Sequence, residues 1–162
     1  MNFFETIYSW FTSFCCTEKV EYAMGEILDG FDETVLATDG YLTLGITTLV
    51  VSFLLCFAFY IWPLDHPRFK AWWAWLVTAA SNSFLAFLIG LIYARVRFNN
   101  FDDPALETLT YDLELDDTVW FRFTDYVSVG LANIFVALLF FIAFSLVLNW
   151  FGKATKYSPF RK

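Results

Sequence analysis

The chain has 162 residues and a formal net charge of −7; 59% of it is hydrophobic, Phe occurs 21 times, Trp 7 times, and charged residues fall to 17%. With a mean hydropathy of +0.55, this composition excludes a disordered chain and leaves too little polar cover for a soluble globule. The acidic balance fits nucleic-acid binding poorly, and the integral membrane class remains.

At the N-terminus, Phe3, Phe4, Ile7, Tyr8, Phe11 and Phe14 recur at helical spacing, with Trp10 beside them. Asn2, Glu5, Thr6, Ser9 and Ser13 fill the other face. This predicts an amphipathic helix too short to span a bilayer. It is expected to lie in the interface, aromatic face down, anchored by apolar contact because it lacks Lys and Arg. Packing on the spans of the same or a neighbouring subunit is the alternative. Cys15 and Cys16 read as small packing residues, with lipidation as the alternative. No basic leader with a cleavage site is visible, so no secretory signal peptide is expected. Further on, Val20, Met24, Ile27, Leu28 and Phe31 predict a short second helix. Asp29, Asp32, Glu33 and Asp39 miss the EF-hand spacing and read as a solvated acidic face. Residues 1–40 thus form an acidic extracytoplasmic segment.

Three runs without Asp, Glu, Lys, Arg or His follow, at 41–62, 72–93 and 127–150. Each is long enough, at about 1.5 Å per residue, to cross a hydrocarbon core of about 30 Å. Tyr60, Trp62, Trp72, Trp73, Trp75, Tyr93, Tyr126 and Trp150 gather at their ends, where amphipathic rings meet the headgroups. Each run carries a stripe of small and polar residues. The first has Gly45, Thr48, Ser52 and Cys56; the second Thr78, Asn82, Ala86 and Gly90, flanked by Ser81 and Ser83; the third Gly130, Asn133 and Ala137, with Ser145 and Asn149 beyond. Small residues let helices approach, and amides and hydroxyls bond across the contact. Three helices offer few partners for three stripes, so self-association or a larger complex is expected, with packing inside one chain as the alternative. Ser81, Asn82, Gly90, Gly130 and Asn133 are the candidate pore-lining or helix-packing residues.

The link 63–71 holds His66, the only histidine, which cannot build a metal site alone and reads as part of a turn capping the second span. The link 94–126 is acidic. Leu109, Tyr111, Leu113 and Leu115 alternate with polar residues, and Val119, Phe121 and Phe123 continue the same face. This predicts a β-hairpin with Leu115 opposite Val119 and a three-residue loop. Asp112, Glu114, Asp116 and Asp117 in it are the candidate acidic vestibule. The tail 151–162 is basic.

The link 63–71 and the tail together carry six Lys and Arg and one acid; the remaining segments carry four bases and sixteen acids. The positive-inside rule then places the C-terminus in the cytoplasm and the N-terminus outside, in a bacterial inner membrane. Arg95 and Arg97 argue the other way. The expected fold class is an all-α integral membrane protein of three transmembrane helices, with a short interfacial N-terminal helix and a small β-hairpin in the extracytoplasmic loop.

Spans without ionisable groups argue against an intramembrane enzyme, a proton pump or an ion-coupled transporter. No catalytic, cofactor-binding or metal-ligating residue stands out, and no cofactor is expected. Two functions remain. One is a homo-oligomer enclosing a weakly cation-selective pore. Three spans with an outside N-terminus is similar to the general layout of some phage-type hole formers, which implies a membrane-permeabilising effector. The other is a structural or accessory subunit without conduction. The expected partners are the lipid bilayer, further copies of the chain and other membrane proteins, and not nucleic acid.

Overall fold

The structure is a computed structural model and describes residues 3–25, 39–61, 72–99 and 121–148. Among these residues there are five helices and no strand: α1 (Phe3–Cys15), α2 (Glu18–Gly25), α3 (Gly40–Ile61), α4 (Trp72–Asn99) and α5 (Phe123–Leu148). The last three are long and apolar enough to cross a membrane, with window hydropathies of 2.3, 1.8 and 2.7.

Short polar devices start the spans. Asp39 Oδ1 accepts the backbone N–H groups of Tyr41 at 2.9 Å and Leu42 at 3.3 Å, which caps α3. At α5, Asp125 Oδ2 accepts the backbone N–H of Arg122 at 2.7 Å. That is the carboxylate half of a capping box, and it puts negative charge at the positive end of the helix.

Two boundaries differ from the charge-free runs. Helix α4 continues past Tyr93 to Asn99, through Arg95 and Arg97, and α5 begins before the third run, at Phe123. Arg97 and Asp125 have partners inside the fold, which lets the helices run on. The predicted hairpin is corrected at its end: Phe123, expected on a strand, is the first residue of α5. Phe121 stacks on Phe98 of α4, with ring centroids 4.2 Å apart. The rest of the hairpin, with Asp112, Glu114, Asp116 and Asp117, lies outside the described residues. So do His66 in the short link, residues 26–38 and the basic tail.

Helices α4 and α5 cross at glycines. A methyl group at Gly90 would sit 3.0 Å from Gly130 Cα, 3.1 Å from Asn133 Cβ and 3.2 Å from Val129 O, so the two backbones approach closely at the glycines. Helix α1 is not free in the interface; it packs on the spans of its own chain. Phe4 meets Phe140 edge-on at 6.2 Å, and Phe11 stacks on Phe135 at 5.5 Å. Beyond the α1–α2 break, Lys19 pairs with Asp125. The chain from 4 to 19 therefore runs antiparallel to α5. Phe140 lies seventeen residues into α5, about 26 Å along its axis, so α1 reaches far down the bundle. Gly45 of α3 makes room for it: a methyl group there would lie 2.6 Å from Phe4 Cγ and 2.9 Å from its Cε1. Ile7, Tyr8 and Thr12 are buried in this contact, while Phe3, Trp10 and Phe14 face outward.

Candidate functional site: a buried polar spine

Polar side chains inside the bundle stack in layers along α5. The middle layer centres on Asn133, which is fully buried. Its Oδ1 accepts the Tyr8 hydroxyl and, at 2.9 Å, the Thr48 hydroxyl. Its Nδ2 donates to the Ala86 carbonyl at 2.7 Å. One amide thus ties α1, α3 and α4 to α5. The Tyr8 ring stacks on Tyr41 at 5.4 Å, and the Tyr41 hydroxyl donates to the Glu21 carbonyl at 3.4 Å, which brings α2 into the same network.

One turn further along α5, Asn82 Nδ2 donates to the Ala137 carbonyl at 3.1 Å, while its Oδ1 has no partner among the described residues. In the next layer, Ser145 Oγ accepts Trp75 Nε1–H at 3.1 Å and lies 3.4 Å from Cys56 Sγ. Between Thr48 and Cys56, Ser52 is buried, and its hydroxyl has no partner among the described residues.

The opposite end of the spine is ionic. Lys19 Nζ lies 2.7 Å from Asp125 Oδ2, with the lysine also 5.7 Å from the Phe121 ring centroid. Arg97 is 0% exposed, and its Nε donates to the Ala23 carbonyl at 3.0 Å. The guanidinium meets the C-terminal end of α2, where carbonyls lack helical partners and the dipole is negative. Gly40 leaves it space, since a methyl group there would lie 3.1 Å from Arg97 Nε and 2.7 Å from Met24 O. Cys16 lies beside this layer. Burial pushes its thiol up to about 11, against the opposing effect of a hydrogen bond with Ser128. Cys15, Cys16 and Cys56 are all free thiols.

Four of the five candidates in the spans come together. Asn82, Gly90, Gly130 and Asn133 are all buried inside one chain, in packing rather than along an open lining. Within one chain the stripes meet one another, which is the packing named above as the alternative. Gly45, Thr48, Ser52 and Cys56 are likewise buried: α1 covers Gly45 with Phe4 and joins the Thr48 layer through Tyr8, while Cys56 packs on Phe141 and Ser145 of α5. Ser81 is the exception: it is exposed on the outer face of α4 with Val77, Ala80, Phe84 and Leu85 around a shallow apolar hollow.

Sequence reasoning missed Tyr8, Lys19, Trp75, Arg97 and Asp125 as members of the spine. A usable signal exists for Arg97 and Asp125. Each lies within four residues of the end of an apolar run, close enough to be drawn into the bundle. Tyr8 carries no comparable mark, since it reads as one more aromatic residue on an aromatic helix. Among the described residues no three His, Cys, Asp or Glu side chains converge as metal ligands. The chemistry of the spine is hydrogen bonding and ion pairing that hold helices together. The spine is held among three helices long and apolar enough to cross a membrane, which fits a helical membrane protein. Comparison with protein-family models, curated proteins and solved structures finds no match.

Proposed function

We propose that this chain is a non-enzymatic integral membrane protein that serves as a structural or accessory subunit, presenting a packed helical body to lipid and to other membrane proteins. The observation that carries this reading is the engagement of Asn133 with Tyr8, Thr48 and Ala86 inside one chain. The amides best suited to line a pore are used for cohesion. What faces outward is apolar, with Val50 and Leu54 on α3, Phe84 and Ile92 on α4, and Phe135 and Val147 on α5. Such a surface suits lipid and the apolar faces of partner helices. The charge split favours an outside N-terminus and a cytoplasmic C-terminus.

Extraction in mild detergent, followed by planar-bilayer recording of the purified protein in a salt gradient, tests the proposal. No conductance is expected, together with co-purification of defined membrane proteins. The homo-oligomeric pore keeps one observation in its favour, the exposed Ser81 on α4. A reproducible cation-selective conductance that disappears in Ser81→Leu would replace the accessory reading. For orientation, an impermeant thiol reagent should label a cysteine placed at Asp117 in intact cells and not one placed at Lys156; the reverse pattern overturns the topology.

A further inference from the structure

Among the described residues Arg97 and Lys19 have partners inside the fold, and Arg95 has none. It is exposed, two residues before the buried Arg97 and on another side of α4. Leu91, Arg95 and Asn99 follow one another at four-residue spacing and so share a face. That face borders Phe123 and Tyr126 of α5, and the five residues enclose a hollow of about 260 Å³. Its walls are of two kinds. Leu91 and Phe123 are apolar, the latter 70% exposed. On the polar side, the Tyr126 hydroxyl donates to Asn99 Oδ1 at 3.4 Å, which leaves the Asn99 amide N–H groups as donors. Ile92 and Val96 flank Arg95 with exposed apolar surface.

We propose that this hollow binds the phosphodiester headgroup of a membrane phospholipid, with Arg95 and Asn99 donating to the phosphate and the acyl chains lying over Leu91 and Phe123. The proposal rests on the reading of α4 and α5 as membrane spans. A guanidinium near the end of a span reaches the headgroup level. Its planar fork matches two phosphate oxygens at once. Basic pockets between transmembrane helices hold lipid headgroups on the cytoplasmic or matrix side; this hollow would use the same guanidinium–phosphate pairing on the opposite side. The charge balance selects the source of the phosphate. The segments on this side of the bilayer carry sixteen acids against four bases, a field that repels free anions. A lipid phosphate is held at the surface by its chains and does not depend on that field to arrive.

The test uses the full chain reconstituted in vesicles of equal phosphatidylglycerol and phosphatidylcholine, with retained lipid counted by native mass spectrometry after release. Wild type is expected to retain about one phospholipid per chain. Arg95→Gln should lower the retained fraction about tenfold, the scale of losing a hydrogen bond to a charged group. Arg95→Lys should fall between, because charge remains while the fork is lost. Leu91→Trp fills the hollow with Arg95 intact and should also release the lipid. Arg122→Gln, an exposed cation outside the hollow, should retain it. Wild-type retention in both Arg95→Gln and Leu91→Trp overturns the site. Equal loss in Arg122→Gln overturns it in favour of diffuse surface charge. Displacement of the lipid by millimolar inorganic phosphate overturns the lipid as the source. Carbonate extraction of the wild type separates this failure from failure of the membrane reading: a protein that leaves the membrane in carbonate refutes the spans themselves.

Discussion

Gly45→Ala should change the sign of its effect according to what stands at position 4. In the native chain the new methyl carbon would lie 2.6 Å from Phe4 Cγ and 2.9 Å from Phe4 Cε1. Phe4 Cδ1 is nearer still; comfortable carbon–carbon contact begins at about 3.5 Å, so the ring must retreat by more than about 1 Å. Tyr8, one turn on, is held by Asn133 and stacked on Tyr41, so α1 cannot follow freely. Overpacking of this kind costs about 1–3 kcal/mol. Against it, Ala in a helix interior is better than Gly by about 0.5–1 kcal/mol. The net effect in wild type is a loss of about 0–2.5 kcal/mol. In a Phe4→Ala background the overlap is gone and only the helix preference remains, so the same substitution should stabilise by up to about 1 kcal/mol. Reversible unfolding in mixed micelles, followed by tryptophan fluorescence, gives all four corners of the cycle. Equal effects of Gly45→Ala in both backgrounds would refute the docking of α1 on α3.

Four further outcomes follow from the buried layers. Asn133→Leu strips partners from Tyr8, Thr48 and the Ala86 carbonyl, and at about 0.6 kcal/mol per interhelical polar contact should cost about 2 kcal/mol. Asn82→Leu loses one bond and removes an unpaired oxygen, so the same unfolding assay should find it near neutral. Gly90→Leu drives a side chain into the Gly130 backbone and should lower stability by about 1–3 kcal/mol, while light scattering in detergent finds the particle mass of the folded protein unchanged. The Cys16 thiol, raised from 9.0 to about 11, should carry about 100-fold less thiolate at pH 8 than an ordinary cysteine and react correspondingly slowly with maleimide. Its rate should climb as pH rises toward 11, measured in a Cys15→Ser, Cys56→Ser background.

The spans were legible because lipid exposure writes a long apolar run without reference to any partner. Their ends were not, because a charge-free criterion sees Arg97 and Asp125 but not the Ala23 carbonyl and Lys19 that accommodate them. The stripes were legible as faces; their addressees were not. Spacing shows that Thr48, Asn82 and Asn133 lie on polar faces, and nothing local says which helix each face meets. Helix α1 hides its role for a related reason. Its aromatic face suits either a headgroup interface or a neighbouring helix, so an interfacial helix and a packed one look alike in sequence. The decision lies in pairings distant along the chain, Phe4 with Gly45 and Tyr8 with Asn133. Alternation misled at Phe123, which follows the strand period in sequence yet joins α5, where the Asp125 cap closes the first turn.

Cross-linking α1 to α5 in intact membranes asks most directly whether one chain satisfies its own polar stripes. Phe11 and Phe135 stack with ring centroids 5.5 Å apart, so cysteines at both positions, in a background lacking Cys15, Cys16 and Cys56, lie within reach of a short bifunctional thiol reagent. The prediction is a cross-link within the chain, seen as a monomer-sized band in which the peptides bearing positions 11 and 135 are joined. A dimer-sized product would place α1 on a neighbouring copy. No product, with both thiols alkylated freely, would place it in the interface. Either result would contradict the single-chain spine.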